Sequence, residues 1–226
     1  MPRTAKLRPA PSTRDAILQA AIQEFAGEGI AGARTDAIAR AAGVNKALLY
    51  YYFKDKETLY GATLDYVFSG LAARLRVALD APLPPREKVL AYVTAHFDYV
   101  ASSGCYPRVV MSEMMRAGRH GSPHLKHVAK TYFRPLQAQL FQVFREGIAA
   151  GEFRPVDPPH FVMSVVALIV FYFAAAPMVA AVSGADPLAP ARIAERRAAV
   201  LDTVSAALFS APPTRNRRPV RAEVKS

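Results

Sequence analysis

Cysteine is nearly absent from this sequence, since Cys105 is the only one among 226 residues. An internal disulfide is therefore excluded, and such sparse use of cysteine is typical of proteins that work in a reducing cytosol. We also expect no secretory signal, because the first dozen residues are rich in proline and arginine and no apolar segment follows them. We expect a cytoplasmic protein.

Motifs that indicate catalysis are lacking as well. The sequence has no GxSxG, no glycine-rich phosphate loop and no HExxH, and Cys105 has no histidine partner at a motif spacing. His96 and Glu113 could meet in space as an acid/base pair, which the sequence alone does not show. We therefore expect no catalytic residue and no cofactor.

A sustained alternation of apolar and polar residues, which would indicate half-buried strands, is lacking throughout. Apolar residues recur instead at helical spacing, divided by glycine and proline clusters. The predicted fold class is all-α, with about nine helices at residues 13–28, 35–42, 46–52, 55–79, 85–102, 107–118, 122–150, 158–182 and 188–209. Pro135 lies inside the seventh of these and should kink it.

Acidic residues are few beside basic ones, 18 against 29, which gives a formal net charge of +11. The two ends of the chain supply seven of these charges, whereas residues 13–60 hold six basic and six acidic side chains. We expect a disordered basic arm at 1–12 and a disordered basic tail at 211–226. These ends either attract DNA phosphates without sequence choice or only aid solubility, and composition leaves both open.

Residues 35–56 carry the most informative pattern in the chain, two short helices joined by a tight turn. Ile38 and Ala39 give the first helix an apolar face, and Gly43 stands where the chain must turn. Asn45 is a suitable N-cap for the second helix, which runs from Lys46 to Tyr52. This is the outline of a helix-turn-helix, in which the second helix enters the DNA major groove.

The same residues resemble the DNA-binding signature of the TetR (tetracycline repressor) family. The similarity spans about Thr13 to Leu64 and is carried by the segments AGV at 42–44, YYYF at 50–53 and KDKE at 54–57. The resemblance implies a recognition helix whose exposed positions are Lys46, Ala47, Tyr51 and Tyr52.

The resemblance also implies contacts to the DNA backbone. Thr35 and Lys56 match helix-start residues that hold phosphates, and Tyr50 matches a position that usually touches the backbone. Leu48 departs from the family pattern, which more often has a small or polar residue there. It either meets a thymine methyl group or turns into the core.

Two domains are expected between the chain ends. The helix at 13–28 would brace the helix-turn-helix, which gives a three-helix DNA-binding head at 13–60. From Asp55 one helical pattern continues to about Leu79, so that movement of its far end can swing the head. The resemblance implies that residues 61–210 form a larger helical domain for ligand binding and dimerisation.

Residues 161–182 are uncharged over their whole length, which makes them a membrane-span candidate by length alone. A helix that is apolar all round is also expected where one face packs on its own core and another on a partner. The following helix offers a second apolar stripe, formed by Ile193, Val200, Leu201, Val204, Leu208 and Phe209. The resemblance implies a homodimer that forms a four-helix bundle from 158–182 and 188–209 of each subunit. We favour the dimer and expect no membrane contact.

The middle helices hold methionine and aromatic side chains that suit a mostly apolar ligand, although such stripes are also found in ordinary cores. With the resemblance, we expect an effector pocket formed by Tyr92, His96, Met111, Met115, Tyr132, Phe133 and Phe171.

His120, His124 and His127 are spaced in a way that suggests a metal site. Ser122-Pro123 has the form of a helix start, however, which leaves only His124 and His127 on one helical face. Two histidines without further ligands are weak support, so we expect no metal.

The function predicted from the sequence is a ligand-responsive, homodimeric transcriptional regulator, a repressor that a small, largely apolar effector releases from a palindromic operator. Two alternatives stay open. One is a DNA-coating protein that acts through its basic ends without sequence choice, and the other is a membrane-associated protein anchored by 161–182.

Overall fold

A computed structural model describes residues 12–210 of the chain. The predicted tail at 211–226, and all of the predicted arm except Ser12, lie outside the described residues. The helices are α1 Thr13–Gly32, α2 Thr35–Ala41, α3 Lys46–Tyr52, α4 Lys56–Asp80, α5 Pro85–Ser102, α6 Tyr106–His120, α7 Pro123–Val128, α8 Arg134–Ala149, α9 Pro158–Ala174, α10 Ala176–Ser183 and α11 Pro190–Leu208.

The all-α class predicted from the sequence is confirmed, but two of the nine predicted helices are each divided. A π-helical turn at Ala129–Phe133 separates α7 from α8, and in it the N–H of Arg134 donates to the carbonyl of Ala129. Pro135 follows at once, has no N–H to offer the next helical bond, and so favours this irregular turn. The second division lies at Ala175, two residues before Pro177, where α9 and α10 meet at a bend of 61°.

The first three helices pack around a small apolar core. Ile17 and Phe25 of α1, Ile38 of α2, and Leu49 and Phe53 at α3 are all buried there. Helix α1 therefore braces the helix-turn-helix, as predicted for the helix at 13–28. Gly29 has a φ of 63°, so the regular part of α1 ends close to the predicted Glu28, and a further helical turn follows it.

Helix α4 is the continuous element that connects this head with the remaining helices. Asp55 caps it, because its carboxylate accepts the N–H of Thr58 at 2.7 Å. Its inner face contacts α1 near its start and α5 further along. Close packing on α5 requires Gly70, since a Cβ at that position would lie 2.7 Å from the Tyr99 hydroxyl oxygen.

Helix α11 packs its apolar stripe inward, against α5 and α9. Val200, Val204, Leu208 and Phe209 are buried in the chain's own core, and Ile193 and Leu201 are partly buried there. The prediction that this stripe forms the dimer interface was therefore wrong about the face of the helix. The exposed side of α11 carries mostly small side chains, among them Ala194, Ala198 and Ala206.

Candidate DNA interface and effector core

The helix-turn-helix is held by a few local contacts. Gly43 has a φ of 69°, a conformation that costs glycine little and other residues more, and it turns the chain between α2 and α3. The Asn45 side chain accepts the N–H of Leu48 at 2.7 Å and so caps α3. Leu49 is fully buried and fixes the rotation of α3. The remaining face of α3 points to solvent as a consequence.

The exposed side chains of α3 are those that the resemblance assigned to DNA. Lys46 and Ala47 are exposed at its first turn, and Tyr51 is 81% exposed with its ring against that of Tyr52. Leu48 is also at the surface, 36% exposed, so it does not turn fully into the core. A thymine methyl group remains available to it as a partner.

Thr35 and Tyr50 form a hydrogen-bonded pair across the helix-turn-helix, with 3.1 Å between the two hydroxyl oxygens. Thr35 is largely buried, whereas Tyr50 is 39% exposed. The pair ties the start of α2 to α3.

Lys56 is engaged within the protein as well. Its ammonium group donates to the carbonyl of Ala33 at 2.9 Å and to that of Ala31 at 3.3 Å. It therefore holds the end of α1 against the start of α4. Sequence reasoning missed this role, because the acceptors are backbone groups more than twenty residues away.

A buried polar network connects the start of α4 to α6 and α7. The carboxylate of Glu113, 1% exposed, accepts from the Tyr60 hydroxyl at 2.8 Å, from Arg116 Nε at 2.9 Å and from the Ser122 hydroxyl. Burial raises the pKa of this carboxyl, but hydrogen bonds from Arg116, Ser122 and Tyr60 outweigh burial and hold the pKa below its usual value. Glu113 is therefore ionised at neutral pH.

The same network bears on two expectations from the sequence, the helix start at Ser122 and the possible acid/base pair of His96 and Glu113. Ser122 caps α7, as predicted, by accepting the N–H of Leu125, and its hydroxyl also reaches Glu113. Because Glu113 is satisfied by these partners, it forms no acid/base pair with His96, whose ring nitrogens have no hydrogen-bond partner.

Two histidines of α7 also contact α4. His124 Nε2 lies 2.8 Å from Glu57 Oε1, and His127 Nε2 lies 3.0 Å from Asp65 Oδ1. They thus face different carboxylates of α4 rather than one common point. Among residues 12–210, no cluster of three or more histidine, cysteine or acidic side chains could hold a metal ion.

The predicted effector residues fall into two groups. Tyr92 and His96 are buried on α5, and Tyr132 and Phe133 are partly buried at the π-helical turn, where Phe133 meets Phe68 edge to face. The second group does not reach the interior: the exposed fractions are 37% for Met111, 60% for Met115 and 67% for Phe171. Apolar residues at helical spacing show that a helix has an apolar face. The spacing does not show whether that face lies in the interior or on the surface of the protein.

A narrow apolar crevice runs between α5, α8 and α9. It is lined by Val89, Tyr92, Val93, Leu140, Phe144, Phe161, Val162, Val165 and Val166, and its volume is about 10 Å³. That is room for about one water molecule, so a ligand would have to open it.

The pH dependence of folding should report the burial of His96. Burial lowers the pKa of the His96 imidazole from 6.5 to about 4. The unfolded chain therefore binds more protons between these two values, and the free energy of unfolding should fall by up to about 3 kcal/mol as the pH drops from 6.5 to 4. His96→Leu should remove this part of the slope in urea titrations at several pH values, whereas His160→Leu, at an exposed site, should leave it. Equal slopes in the wild type and His96→Leu would contradict this assignment.

The fold and the exposed face of α3 define a helix-turn-helix DNA-binding protein with a helical C-terminal region. Residues 17–63 match the family described as "Bacterial regulatory proteins, tetR family", and residues 85–204 match the one described as "Tetracyclin repressor-like, C-terminal domain". The chain belongs to the TetR family of transcriptional regulators. Dimerisation and regulation by a ligand are typical of that family.

Similar proteins place this membership in context. The HTH-type transcriptional regulator RutR of Escherichia coli K12 is 31% identical over 175 residues, which covers 76% of this chain and 79% of RutR. The transcriptional repressor NicS of Pseudomonas putida is 29% identical over 62% of this chain and 63% of NicS. The structure of the ketosteroid transcriptional regulator KstR2 of Mycobacterium tuberculosis shares the fold, with a TM-score of 0.71 and 20% identity over 92% of this chain and all of KstR2.

The two alternative functions gain no support from these similarities. For the membrane alternative, no single helix within 12–210 is both long and apolar enough to cross a bilayer. The bent pair α9 and α10 passes that test only when the two are taken together.

Proposed function

We propose that the protein is a homodimeric repressor that binds a roughly palindromic operator and is released from it by a small, largely apolar effector. The observation that carries this proposal is the outer face of α3, where Lys46, Ala47 and the 81% exposed Tyr51 stand clear of the core that Leu49 anchors. Side chains at such positions can reach base edges in the major groove.

The contacts divide into base reading and backbone positioning. Lys46, Ala47, Leu48, Tyr51 and Tyr52 would face the groove, with Leu48 suited to a thymine methyl group. The Thr35–Tyr50 pair and Lys56 would position the head on phosphates. Two of the three N–H groups of the Lys56 ammonium already donate to carbonyls, so one remains for a phosphate.

Dimerisation is assigned to the outer face of α9 and α10. Met163, Phe171, Met178 and Val182 are 62%, 67%, 68% and 81% exposed along these two helices. A row of large, exposed apolar side chains favours a protein–protein interface. The small side chains on the outer face of α11 would let a partner helix approach closely, so that four helices form the interface about a two-fold axis.

The DNA-binding head, about 13–60, and the effector domain, about 61–210, would be coupled through the joint at Tyr60. Tyr60 packs on Phe25 of the head at a ring distance of 4.9 Å and donates to Glu113 of α6. An effector that shifts α6 would move this contact and change the spacing of the two heads. By linkage, operator DNA must weaken effector binding by the same factor. A protein that binds an operator would act in the cytoplasm.

Selection of bound sequences from random duplex DNA tests the proposal. Purified full-length protein at physiological salt should enrich a palindromic consensus whose half-sites lie about one helical turn apart, ~34–36 Å, or more. Enrichment of no sequence would overturn it in favour of binding through charge alone.

Replacing Tyr51 tests base reading by α3. Tyr51→Ala should change the preferred base at one or two positions of each half-site and weaken the best wild-type sequence by about 1–3 kcal/mol. Repeating the selection and titrating the wild-type consensus measure both effects. Tyr66→Ala is the matched control, because Tyr66 is 48% exposed on α4, away from α3. If both variants kept the wild-type preference, Tyr51 would not read bases.

A further inference from the structure

His96 is only 3% exposed, and neither of its buried ring nitrogens has a hydrogen-bond partner. Buried polar groups in native proteins are nearly always satisfied, so an orphaned imidazole needs an explanation. Its place in the fold supplies one. Val89, Tyr92 and Val93 of α5 line the apolar crevice, and His96 follows Tyr92 by four residues and Val93 by three. It therefore lies on the same helical face, about one turn beyond the residues of α5 that line the crevice.

We infer that the effector is an uncharged molecule with an apolar body and a ketone or hydroxyl group, which occupies the widened crevice and forms a hydrogen bond with one ring nitrogen of His96. This inference rests on the effector-binding function proposed above and names the chemistry of the ligand. The apolar body would lie among the valines and phenylalanines of α5, α8 and α9. The polar group would accept from one ring nitrogen or donate to the other.

The surroundings favour an uncharged group over an anion or a cation. None of the nine residues that line the crevice carries a charge. Burial also lowers the pKa of His96 to about 4, so at neutral pH the ring is uncharged and offers one donor and one acceptor. A carboxylate brought here would lose its hydration and gain no cationic partner among the nine lining residues.

Four small probes of one shape test the inference on the full-length protein: cyclohexanone, cyclohexanol, cyclohexane and cyclohexanecarboxylate. Nitrogen-15 NMR of the histidine rings follows binding, and the His96→Gln variant identifies the His96 resonances. The ketone and the alcohol should shift those resonances and bind about tenfold or more tightly than cyclohexane and the carboxylate. In His96→Leu this preference should disappear.

Several results would overturn the inference. They are equal binding of cyclohexane and cyclohexanone, tighter binding of the carboxylate, unchanged His96 resonances, or no binding of any probe. A measurement without probes adds an independent check. Thermal unfolding of His96→Leu at neutral pH should occur at the wild-type temperature or above it, because an unsatisfied polar group is removed. A clear fall would mean that the ring has a structural partner and would likewise overturn the inference.

Operator affinity in the presence of each probe separates this inference from the function it rests on. A probe that shifts His96 but leaves operator affinity unchanged contradicts the proposed release by an effector and leaves the ligand chemistry intact. Release of the operator with no change at His96 contradicts the ligand chemistry instead.

Discussion

Phe171→Glu is expected to dissociate the dimer and to lower operator affinity more than a hundredfold. Phe171 is 67% exposed at the centre of the outer α9–α10 face. A two-fold interface would bury two copies of the new carboxylate among apolar side chains, at a cost of about 3 kcal/mol or more. Sedimentation equilibrium and operator titration measure the two effects.

Val77→Glu is the matched control for this change. Val77 is 72% exposed, but it lies on α4 rather than on α9 or α10. The control should remain dimeric and keep wild-type operator affinity. A dimeric Phe171→Glu variant would contradict the assignment of the interface, and a Phe171→Glu monomer with full operator affinity would contradict the need for two heads.

Glu113→Ala is expected to lower the free energy of unfolding by about 2–4 kcal/mol, with a fall in melting temperature of about 5–15 °C. The change leaves the Tyr60 hydroxyl, the Arg116 guanidinium and the Ser122 hydroxyl without their common acceptor. Those hydrogen bonds favour the ionised form of Glu113 and lower its pKa. Its contribution to the free energy of unfolding is therefore present at neutral pH and is lost as the pH falls through the lowered pKa. Urea unfolding at pH 7 measures the loss.

Glu146→Ala is the control for the loss of a glutamate on a helix surface. Glu146 is exposed on α8, and its carboxylate accepts from the side chain of Gln142. Its replacement should change stability by less than about 0.5 kcal/mol. If Glu113→Ala were no more destabilising than this control, the buried network would not hold α6 and α7 to α4.

Local signals in the sequence were sufficient to predict the starts of three helices, two at the DNA-binding head and one at α7. Asn45, Asp55 and Ser122 each cap the helix that they were predicted to start, and α3 has its predicted bounds. Such caps act over three residues, so the sequence contains both partners within one turn. The effects of Pro135 and Pro177 were foreseen only in part. A kink was expected at Pro135, whereas the structure has a π-helical turn there and a 61° bend before Pro177.

The body of the protein depends on contacts between residues far apart in sequence, which local patterns do not contain. The stripe of α11 and the row through Phe171 are both apolar, yet the first is buried in the subunit and the second is exposed. The bond between Tyr60 and Glu113 spans 53 residues, and that between Lys56 and Ala33 spans 23. Which apolar face turns inward, and which polar group finds a partner, is decided by the packing of the whole helical body.

The central claim is that a dimer presents two heads whose spacing the operator selects, and pulsed electron paramagnetic resonance tests it most directly. A spin label on Gln19→Cys, in a Cys105→Ser background, marks an exposed position of α1 in each head. The account predicts a broad distribution of distances between the two labels in free protein and a narrow one with the selected operator. The absence of a dipolar signal between subunits, or a distribution that the operator leaves unchanged, would contradict it.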